Sequence, residues 1–296
     1  MKLPDAISSP NSKRVKHAVK LRERRSRKTM GQFLVEGPQA VREALERHVE
    51  LELPGQVPGI PDWVGSAADP QGAVIELFIT EEAAAAHPEF VQAVKAYDIR
   101  WNIITEDVLA ELSATVNSQG IVAVCEVLDV ELSSVIDKET QLIVVLSQVR
   151  DPGNAGTIIR LADAAGADAV VLTSSSVDIY NDKAVRSTAG SLFHTPVVTG
   201  VGLAEVTELA RARGLQVLAA DANERAHDVH NPWATGLDLA ARTTWVFGNE
   251  AWGMKDADLD LCDASAAVPI YGKAESLNLA TAASVCIYES ARNQRM

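Results

Sequence analysis

The 296-residue sequence has few cysteines, few aromatic residues and no long apolar run. Its three cysteines, Cys125, Cys262 and Cys286, lack the paired spacing of a disulfide framework. The longest apolar runs, such as Leu142–Leu146, have the length of a strand and are too short to span a membrane. These absences predict a soluble, cytoplasmic protein whose cysteines are small core residues.

Common nucleotide-binding and hydrolase motifs are also absent. The sequence contains no G-x-G-x-x-G, no G-x-x-x-x-G-K-[ST] and no G-x-S-x-G, which weakens dehydrogenase, phosphate-loop ATPase and hydrolase interpretations. His227 and His230 have an H-x-x-H spacing, but neither a cysteine nor a third ligand lies nearby in sequence. Such a pair is more typical of a polar loop than of a zinc site, so no metal site is expected.

Charge is distributed unevenly along the chain, whose formal net charge is −13. Residues 13–28 hold nine Lys or Arg and one acid, Glu23, whereas residues 29–296 hold 17 basic and 38 acidic residues. We interpret residues 1–28 as a basic N-terminal arm that favours a nucleic-acid partner. A solvated basic helix explains the charge equally well, and an organellar transit peptide fits the polar first 12 residues poorly.

Strand and helix patterns alternate along the remaining chain and predict two α/β domains. The first is expected over residues 29–128, interrupted by a proline-rich inserted loop at 51–72. The polar residues 129–140 lack a strong period and are expected to form a linker. Short Val, Ile and Leu runs then alternate with helical segments over 141–296, which is typical of a parallel sheet buried on both faces.

Two glycine-containing strand ends in the second domain are candidates for a ligand site. The apolar run Thr244–Phe247 breaks into Gly248, Asn249 and Glu250, and Val268–Ile270 leads to a helix that Ser276 is expected to cap. Ligands of open α/β sheets bind at the carboxyl ends of parallel strands. Glu250 is a candidate acid there, although a surface carboxylate in a turn would have the same sequence.

One face of the predicted C-terminal helix carries small residues, Ala280, Ala283 and Ser284. Another backbone can approach such a face closely, which suits either a tightly packed core or a subunit interface. Trp252 and Trp233 could stack on nucleic-acid bases, but lone tryptophans are more often part of a core.

The turn Asp151–Asn154 is a third candidate, because it links a predicted strand to the helix Ala155–Ala165 with Asn154 as the expected N-cap. A helical wheel places Gly156 and Arg160 together, opposite the core face. Arg160 would then project over a residue without a side chain and could bind a phosphate or carboxylate through its planar fork. A solvated surface arginine is the simpler alternative.

Three of these stretches together resemble the motifs of one enzyme family. NAGTIIR at 154–160, GNEAWG at 248–253 and VPIYGKAESLNL at 268–279 are similar to the three motifs of the SpoU (TrmH-like) ribose 2′-O-methyltransferases. FLVEGPQAVREAL at 33–45 and SQGIVAVCEV at 118–127 look like the N-terminal substrate-binding domain of many members. The resemblance covers most of the chain.

The resemblance implies an α/β fold of the SPOUT superfamily, with a C-terminal parallel-sheet domain that forms a deep trefoil knot. It also implies a smaller N-terminal α/β domain that is ribosomal-protein-like and binds RNA, and a homodimer formed through the knot. S-adenosylmethionine would bind in the knot, and the matching cofactor residues are Phe247, Gly248, Val268, Ile270 and Leu277. The residues expected around the acceptor ribose are Asn154, Arg160, Glu250 and Asn278.

The expected function is S-adenosylmethionine-dependent 2′-O-methylation of a ribose in structured RNA, with ribosomal RNA favoured. The alternatives are a transfer-RNA methyltransferase of the same fold and a catalytically silent RNA-binding or ribosome assembly factor. Because a guanidinium stays protonated in proteins, Arg160 is expected to clamp a phosphate and stabilise the alkoxide. The proton acceptor is left open between that phosphate, Glu250 and water.

Overall fold

The computed structural model describes residues 4–52, 73–115, 117–231 and 236–296, so the expected inserted loop at 51–72 lies largely outside the described residues. The chain divides into two compact units. The first comprises Met1–Leu128 and Tyr180–His194, and the second comprises Asp129–Ile179 and Thr195–Met296. The unit boundary near residue 129 lies where the expected linker begins, but Tyr180–His194 groups with the first unit, which the sequence pattern did not indicate.

The first unit is built around a four-stranded sheet with the order β1-β4-β2-β3. Strand β4 is antiparallel to both β1 and β2, and β2 is parallel to β3. Its elements are α1 Lys13–Lys20, α2 Arg24–Met30, β1 Gln32–Glu36, α3 Pro38–Glu52, β2 Val74–Thr80, α4 Glu81–Ala86, α5 Pro88–Ala96, β3 Arg100–Ile104, α6 Glu106–Leu112 and β4 Ile121–Glu126, together with α9 Asp182–Thr188 and a 3₁₀ turn at Ser191–Phe193.

The basic N-terminal segment is part of the first unit and not a separate arm. Val15, Ala18 and Leu21 recur at helical spacing and are fully buried in a cluster that includes Phe78. Arg27 is buried as well, and its Nη1 donates hydrogen bonds of 2.8 Å to the carbonyl oxygens of residues 21 and 22. The exposed charges on α1 and α2 are Lys13, Arg14, Lys16, Lys20, Arg24, Arg25 and Lys28. The basic pattern therefore marks the solvent face of packed helices.

The second unit contains a seven-stranded sheet with the order β7-β6-β5-β10-β8-β11-β9, and all of its strand pairs are parallel. The predicted parallel α/β fold is therefore confirmed. Its elements are α7 Leu132–Val135, β5 Leu142–Leu146, α8 Pro152–Ala165, β6 Ala169–Thr173, β7 Val197–Val201, α10 Leu203–Ala212, β8 Gln216–Ala220, β9 His227–Asp228, β10 Thr243–Phe247, α11 Asp256–Leu259, β11 Ala264–Ala267 and α12 Leu279–Asn293.

The segment expected to be a linker, residues 129–140, packs against the second unit. It contains the short helix α7, and Leu132, Val135 and Ile136 are buried in the same cluster as residues of β5 and β6. Apolar residues in a short polar stretch give no clear period, which is why the sequence pattern did not reveal this packing. The core of the second unit thus begins before residue 141.

Helices α8 and α12 begin at different residues from those predicted. Asp151 is the N-cap of α8, and its side chain accepts a 2.8 Å hydrogen bond from the Asn154 backbone amide. Pro152 follows at the first helical position, where a missing N–H costs nothing. Asn278, not Ser276, caps α12, because its Oδ1 accepts hydrogen bonds from the amides of residues 280 and 281 at 2.9 and 3.3 Å.

Helix α12 packs against α8. Ala280 and Ala283 are buried within the chain, so this part of the small face serves the core. Gly156 is buried too, whereas Arg160 is exposed. The predicted placement of these two residues on one solvent face is therefore wrong, because α8 is covered by a second helix as well as by the sheet.

Candidate cofactor and acceptor site

The loop that follows β10 is closed by hydrogen bonds. The backbone amide and carbonyl of Asn249 pair reciprocally with those of Gly253, both at 3.0 Å. The buried Asn249 side chain donates to the Gln148 carbonyl at 2.8 Å and accepts from the Ala251 amide at 2.8 Å. This arrangement ties the loop to the end of β5 and holds its backbone in one conformation.

Gly248 is needed because the loop folds back on it. A Cβ atom at this position would lie 2.5 Å from Cγ of Met254 and 2.7 Å from the Gly253 carbonyl oxygen. The second contact is with backbone, so rotation of a side chain cannot relieve it. The structure therefore gives Gly248 a packing role in the loop.

Glu250 joins this loop to the start of α8. Its carboxylate accepts hydrogen bonds from the amides of Arg150 and Asp151, at 3.2 and 3.1 Å, and from Nδ2 of Asn154 at 3.3 Å. Oδ1 of Asn154 in turn accepts from Nδ2 of Asn278 at 3.1 Å. Three of the four residues predicted around the acceptor thus form one hydrogen-bonded cluster, drawn from three separate stretches of sequence.

Arg160, the fourth predicted acceptor residue, is not joined to this cluster. Its side chain is exposed on α8, two turns after Pro152, and forms no hydrogen bond or ion pair within the part of the chain that the structure describes. A guanidinium in this position retains all five N–H donors for an external partner.

A cavity of about 280 Å³ lies beside the cluster, between the loop and the start of α12. Three of the five predicted cofactor residues line it, namely Val268, Ile270 and Leu277. Phe247 and Gly248, the other two, do not line it. Phe247 is fully buried and stacks on Trp245, while its backbone carbonyl accepts a 2.8 Å hydrogen bond from the Ser147 amide. The remaining lining residues are Ala220, Asp221, Ala222, Asn249, Glu250, Ala251, Gly253, Ala266, Ala267, Glu275, Ser276, Leu279, Ala282 and Cys286.

Asp221 is a cavity residue that the sequence motifs did not single out. It follows β8, and its Oδ2 accepts a 3.3 Å hydrogen bond from the Met254 amide just beyond the closed loop. Its position at the carboxyl end of a parallel strand was the signal that could have identified it. Cys286 also lines the cavity, and burial raises the pKa of its thiol to about 12. The Cys286 side chain in the cavity lining is therefore uncharged at physiological pH.

The charges that line the cavity have one sign. Asp221, Glu250 and Glu275 are acidic, and none of the described lining residues is Lys, Arg or His. Apolar side chains, including Val268 and Ile270, form another part of the wall. A ligand with an apolar group and a positive charge matches this lining.

Neither a metal centre nor a membrane span is found in the described ranges of the chain. No group of three or more His, Cys, Asp and Glu residues there could hold a metal ion. No described helix has the length and apolar character needed to cross a membrane.

Family models match nearly the whole chain. The SpoU rRNA Methylase family matches residues 141–288, which contain the cavity and the hydrogen-bonded cluster. An MRM3-like substrate binding domain matches residues 12–56, and the domain described as RNA 2′-O ribose methyltransferase substrate binding matches residues 66–129. The first unit thus corresponds largely to the substrate-binding models.

Individual proteins are similar over almost the full length. The chain is 32% identical over 282 residues to the 23S rRNA (guanosine(2553)-2′-O)-methyltransferase RlmP of Bacillus subtilis, covering 95% of this chain and 97% of that protein. The structure of an AdoMet-bound rRNA methyltransferase from Sinorhizobium meliloti has a TM-score of 0.79 and 26% identity, covering 97% of each chain.

The SpoU methyltransferase AviRb from Streptomyces viridochromogenes, in complex with the cofactor AdoMet, has a TM-score of 0.76 and 29% identity, covering 96% of this chain and 99% of that one. These matches agree with the parallel sheet of the second unit and with the three motifs. The chain is a member of the SpoU rRNA methylase family.

Proposed function

We propose that the protein transfers the methyl group of S-adenosylmethionine to the 2′-hydroxyl of one ribose in ribosomal RNA. The observation that carries this proposal is the cluster of Glu250, Asn154 and Asn278 at the edge of the cavity. The three motifs of an RNA 2′-O-methyltransferase family meet there. The name of the Bacillus subtilis relative specifies 23S rRNA, which favours the large-subunit RNA as the substrate.

The cavity residues fit S-adenosylmethionine. This cofactor combines an adenine ring with a positively charged sulfonium, and it supplies an electrophilic methyl group. The apolar side chains of Val268, Ile270 and Leu277 suit the ring, and the carboxylates of Asp221 and Glu275 suit positive charge. No basic side chain among the described lining residues opposes that charge.

Asn154 and Asn278 orient the acceptor ribose. Asn278 is held by the amides that it caps, and its Nδ2 holds Asn154 in turn. Two linked amides on the N-termini of two helices provide donors and acceptors for a hydroxyl without any rearrangement. Such positioning and preorganised polarity favour attack by the ribose hydroxyl and stabilise its developing negative charge.

Glu250 acts as a positioning residue in this proposal. Its carboxylate already accepts from two backbone amides and from Asn154, and these bonds hold the loop against the start of α8. The substrate phosphate or water then takes the proton. Arg160 clamps a phosphate of the substrate and stabilises the developing alkoxide, because its exposed guanidinium is free to form a two-pronged contact.

We further propose that the protein is a cytoplasmic homodimer that uses the exposed face of α12. Thr281, Val285 and Tyr288 recur at helical spacing along one face and are exposed or half-buried. A partly apolar stripe of this kind suits a contact with a second copy. Residues 29–128 bind RNA together with the basic face of α1 and α2, and residues 141–296 carry the transfer reaction.

Mapping of 2′-O-methyl groups in RNA from cells with and without the gene tests the function. We expect one ribosomal RNA site to lose its methyl group in the deletion strain and to regain it with the wild-type gene but not with an Asn154→Ala gene. Loss of a transfer-RNA methyl group instead would assign the enzyme to the other substrate class. An unchanged methylation map would support the catalytically silent alternative.

A further inference from the structure

The loop Asn249–Gly253 is held at nearly every residue. Its two ends pair with each other, Asn249 is tied to Gln148, and Glu250 is tied to the start of α8. Ala251 donates its amide to the Asn249 side chain. The loop therefore presents a fixed backbone at the rim of the cavity.

Trp252 is the exception in this loop. Its side chain is 55% exposed, and within the described part of the chain it forms no hydrogen bond, ring contact or cation contact. Trp245, in contrast, is fully buried and donates its Nε1–H to Ser290 at 2.9 Å. The usual explanation for a lone tryptophan, a place in the core, does not apply to Trp252, and the fold gains little from its large ring.

We propose that Trp252 stacks on a base of the RNA substrate, at the target nucleotide or its neighbour. This inference rests on the proposed function, because it assumes that the acceptor ribose lies at the cluster of Glu250, Asn154 and Asn278. Trp252 is two residues from Glu250 in a loop that the Asn249–Gly253 hydrogen bonds close, so the inference places the base attached to that ribose beside the ring.

Stacking on exposed aromatic rings is how proteins bind unstacked bases in RNA. A rigid tryptophan loses little conformational entropy when it stacks, because the closed loop has already fixed its backbone. Every base has a π-face, so Trp252 contributes affinity and orientation of the nucleotide and leaves the choice of base to other contacts. Neighbouring loop residues line the cavity, whereas Trp252 does not, so the ring is available to RNA and not to the cofactor.

Three substitutions at Trp252 test this role. Trp252→Ala removes the ring, Trp252→Leu keeps an apolar side chain without a π-face, and Trp252→Phe keeps a smaller ring. Two assays use 23S ribosomal RNA transcribed in vitro: filter binding gives the dissociation constant, and transfer of labelled methyl gives KM and kcat. Calorimetry with S-adenosylmethionine and light scattering monitor the cofactor site and the oligomeric state.

We expect Trp252→Ala and Trp252→Leu to weaken RNA binding and raise KM by roughly tenfold to a hundredfold, the range measured for one base–aromatic stack. Trp252→Phe should retain most of the affinity, and cofactor affinity and molecular mass should not change in any variant. Wild-type RNA affinity in Trp252→Ala, or in Trp252→Leu, would overturn the inference. A drop in molecular mass or in cofactor affinity as the main effect would overturn it too, since it would assign the ring to a subunit contact or to the cofactor.

The two readouts separate this inference from the proposed function. If the wild-type protein bound the transcript in a Trp252-dependent way but transferred no methyl group, the proposed reaction would fail and the stacking contact would stand. If methyl transfer and RNA binding were both normal in Trp252→Ala, the reaction would stand and the stacking contact would be wrong.

Discussion

The side-chain amide of Asn278 donates a 3.1 Å hydrogen bond to Oδ1 of Asn154, which connects residues 124 positions apart in sequence. Asn278 also caps α12, through hydrogen bonds from the amides of residues 280 and 281 to its Oδ1. One asparagine therefore combines two roles, since its oxygen stabilises a helix and its nitrogen orients a residue proposed to contact the ribose.

Asn278→Asp separates these two roles. Aspartate is as good an N-cap as asparagine, so stability should remain close to wild type, but the side chain can no longer donate to Asn154. We expect methyl transfer to fall by about tenfold or more, and thermal unfolding with a single-turnover assay would measure both effects. Asn278→Ala is the comparison, because it should also reduce stability by about 1 kcal/mol. Full activity in Asn278→Asp would show that the hydrogen bond to Asn154 is not needed for methyl transfer and that Asn278 acts only as a helix cap.

Arg160→Ala should reduce methyl transfer by about a hundredfold to a thousandfold, the usual cost of removing one stabiliser of a developing oxyanion. Cofactor binding should persist, since Arg160 does not line the cavity. Arg160→Lys should be intermediate, because lysine keeps the charge but lacks the two-pronged fork. Single-turnover transfer with saturating cofactor isolates this step.

Arg225→Ala is a matched control for Arg160→Ala, because Arg225 is another exposed arginine of the second unit that lies outside the cavity. We expect it to retain wild-type turnover. Wild-type turnover in Arg160→Ala would contradict the proposed contact with a substrate phosphate. Full activity in Arg160→Lys would show that only the positive charge of Arg160 is needed, not its two-pronged geometry.

Gly248→Ala should disorder the closed loop and abolish cofactor binding, because the new Cβ would lie 2.7 Å from the Gly253 carbonyl oxygen. Adding Met254→Ala removes the other close contact but not this one, so the double variant should not recover. Calorimetry with S-adenosylmethionine measures the effect on binding. Gly202→Ala, where a Cβ would meet open space, is the control. Normal binding by Gly248→Ala would refute the packing role of this glycine.

Replacing Lys13, Lys16 and Lys20 with glutamine should weaken RNA binding without reducing stability. These lysines are exposed on one face of α1, whereas Val15 and Ala18 on the other face are buried. Deleting residues 1–28 would not be a clean test, because it would remove part of the core. The slope of log affinity against log salt should flatten by roughly 0.7 to 0.9 for each RNA phosphate that the variant no longer neutralises.

A second triple variant controls for overall charge in this experiment. Changing Lys138, Arg213 and Arg225 to glutamine removes the same charge from exposed positions of the second unit. We expect a smaller change in the salt slope than with the three α1 lysines. Equal slopes in both triple variants would mean that the RNA responds to net charge and not to the α1 surface.

Tyr288→Glu should convert the proposed dimer to a monomer, because it places a charge on the exposed apolar stripe of α12. Light scattering at micromolar concentration would then give a mass near 31.7 kDa. Ala204→Glu on the exposed side of α10 is the control and should stay dimeric. A Tyr288→Glu protein with the wild-type dimer mass would place the interface elsewhere. Ala283 is unsuitable for this test, since it is buried within its own chain.

Local sequence patterns were sufficient for the two α/β units, the parallel sheet and the presence of three motifs at strand ends. Apolar runs such as Leu142–Leu146 have the length and composition of buried strands, and the carboxyl ends of parallel strands share one edge. The approximate location of the site therefore followed from the sequence. The predictions for Val268, Ile270 and Leu277 came from the resemblance to the SpoU family motifs, and all three residues line the cavity.

Which side of each helix is covered, and by what, was decided only by the tertiary structure. Gly156 is buried on α8, a helix that packs against α12 as well as the sheet, and α1 has a buried apolar face opposite its basic face. The first residue of α8 was also not decided by residue type alone, since Asp151 and Asn154 are both good N-caps. Pro152 favours the first helical position, so Asp151 is the N-cap. A helical period identifies opposite faces but not their partners, because burial depends on elements that are distant in sequence. The cluster of Asn154, Glu250 and Asn278 arises from the same long-range packing, which brings the three motifs within hydrogen-bonding distance.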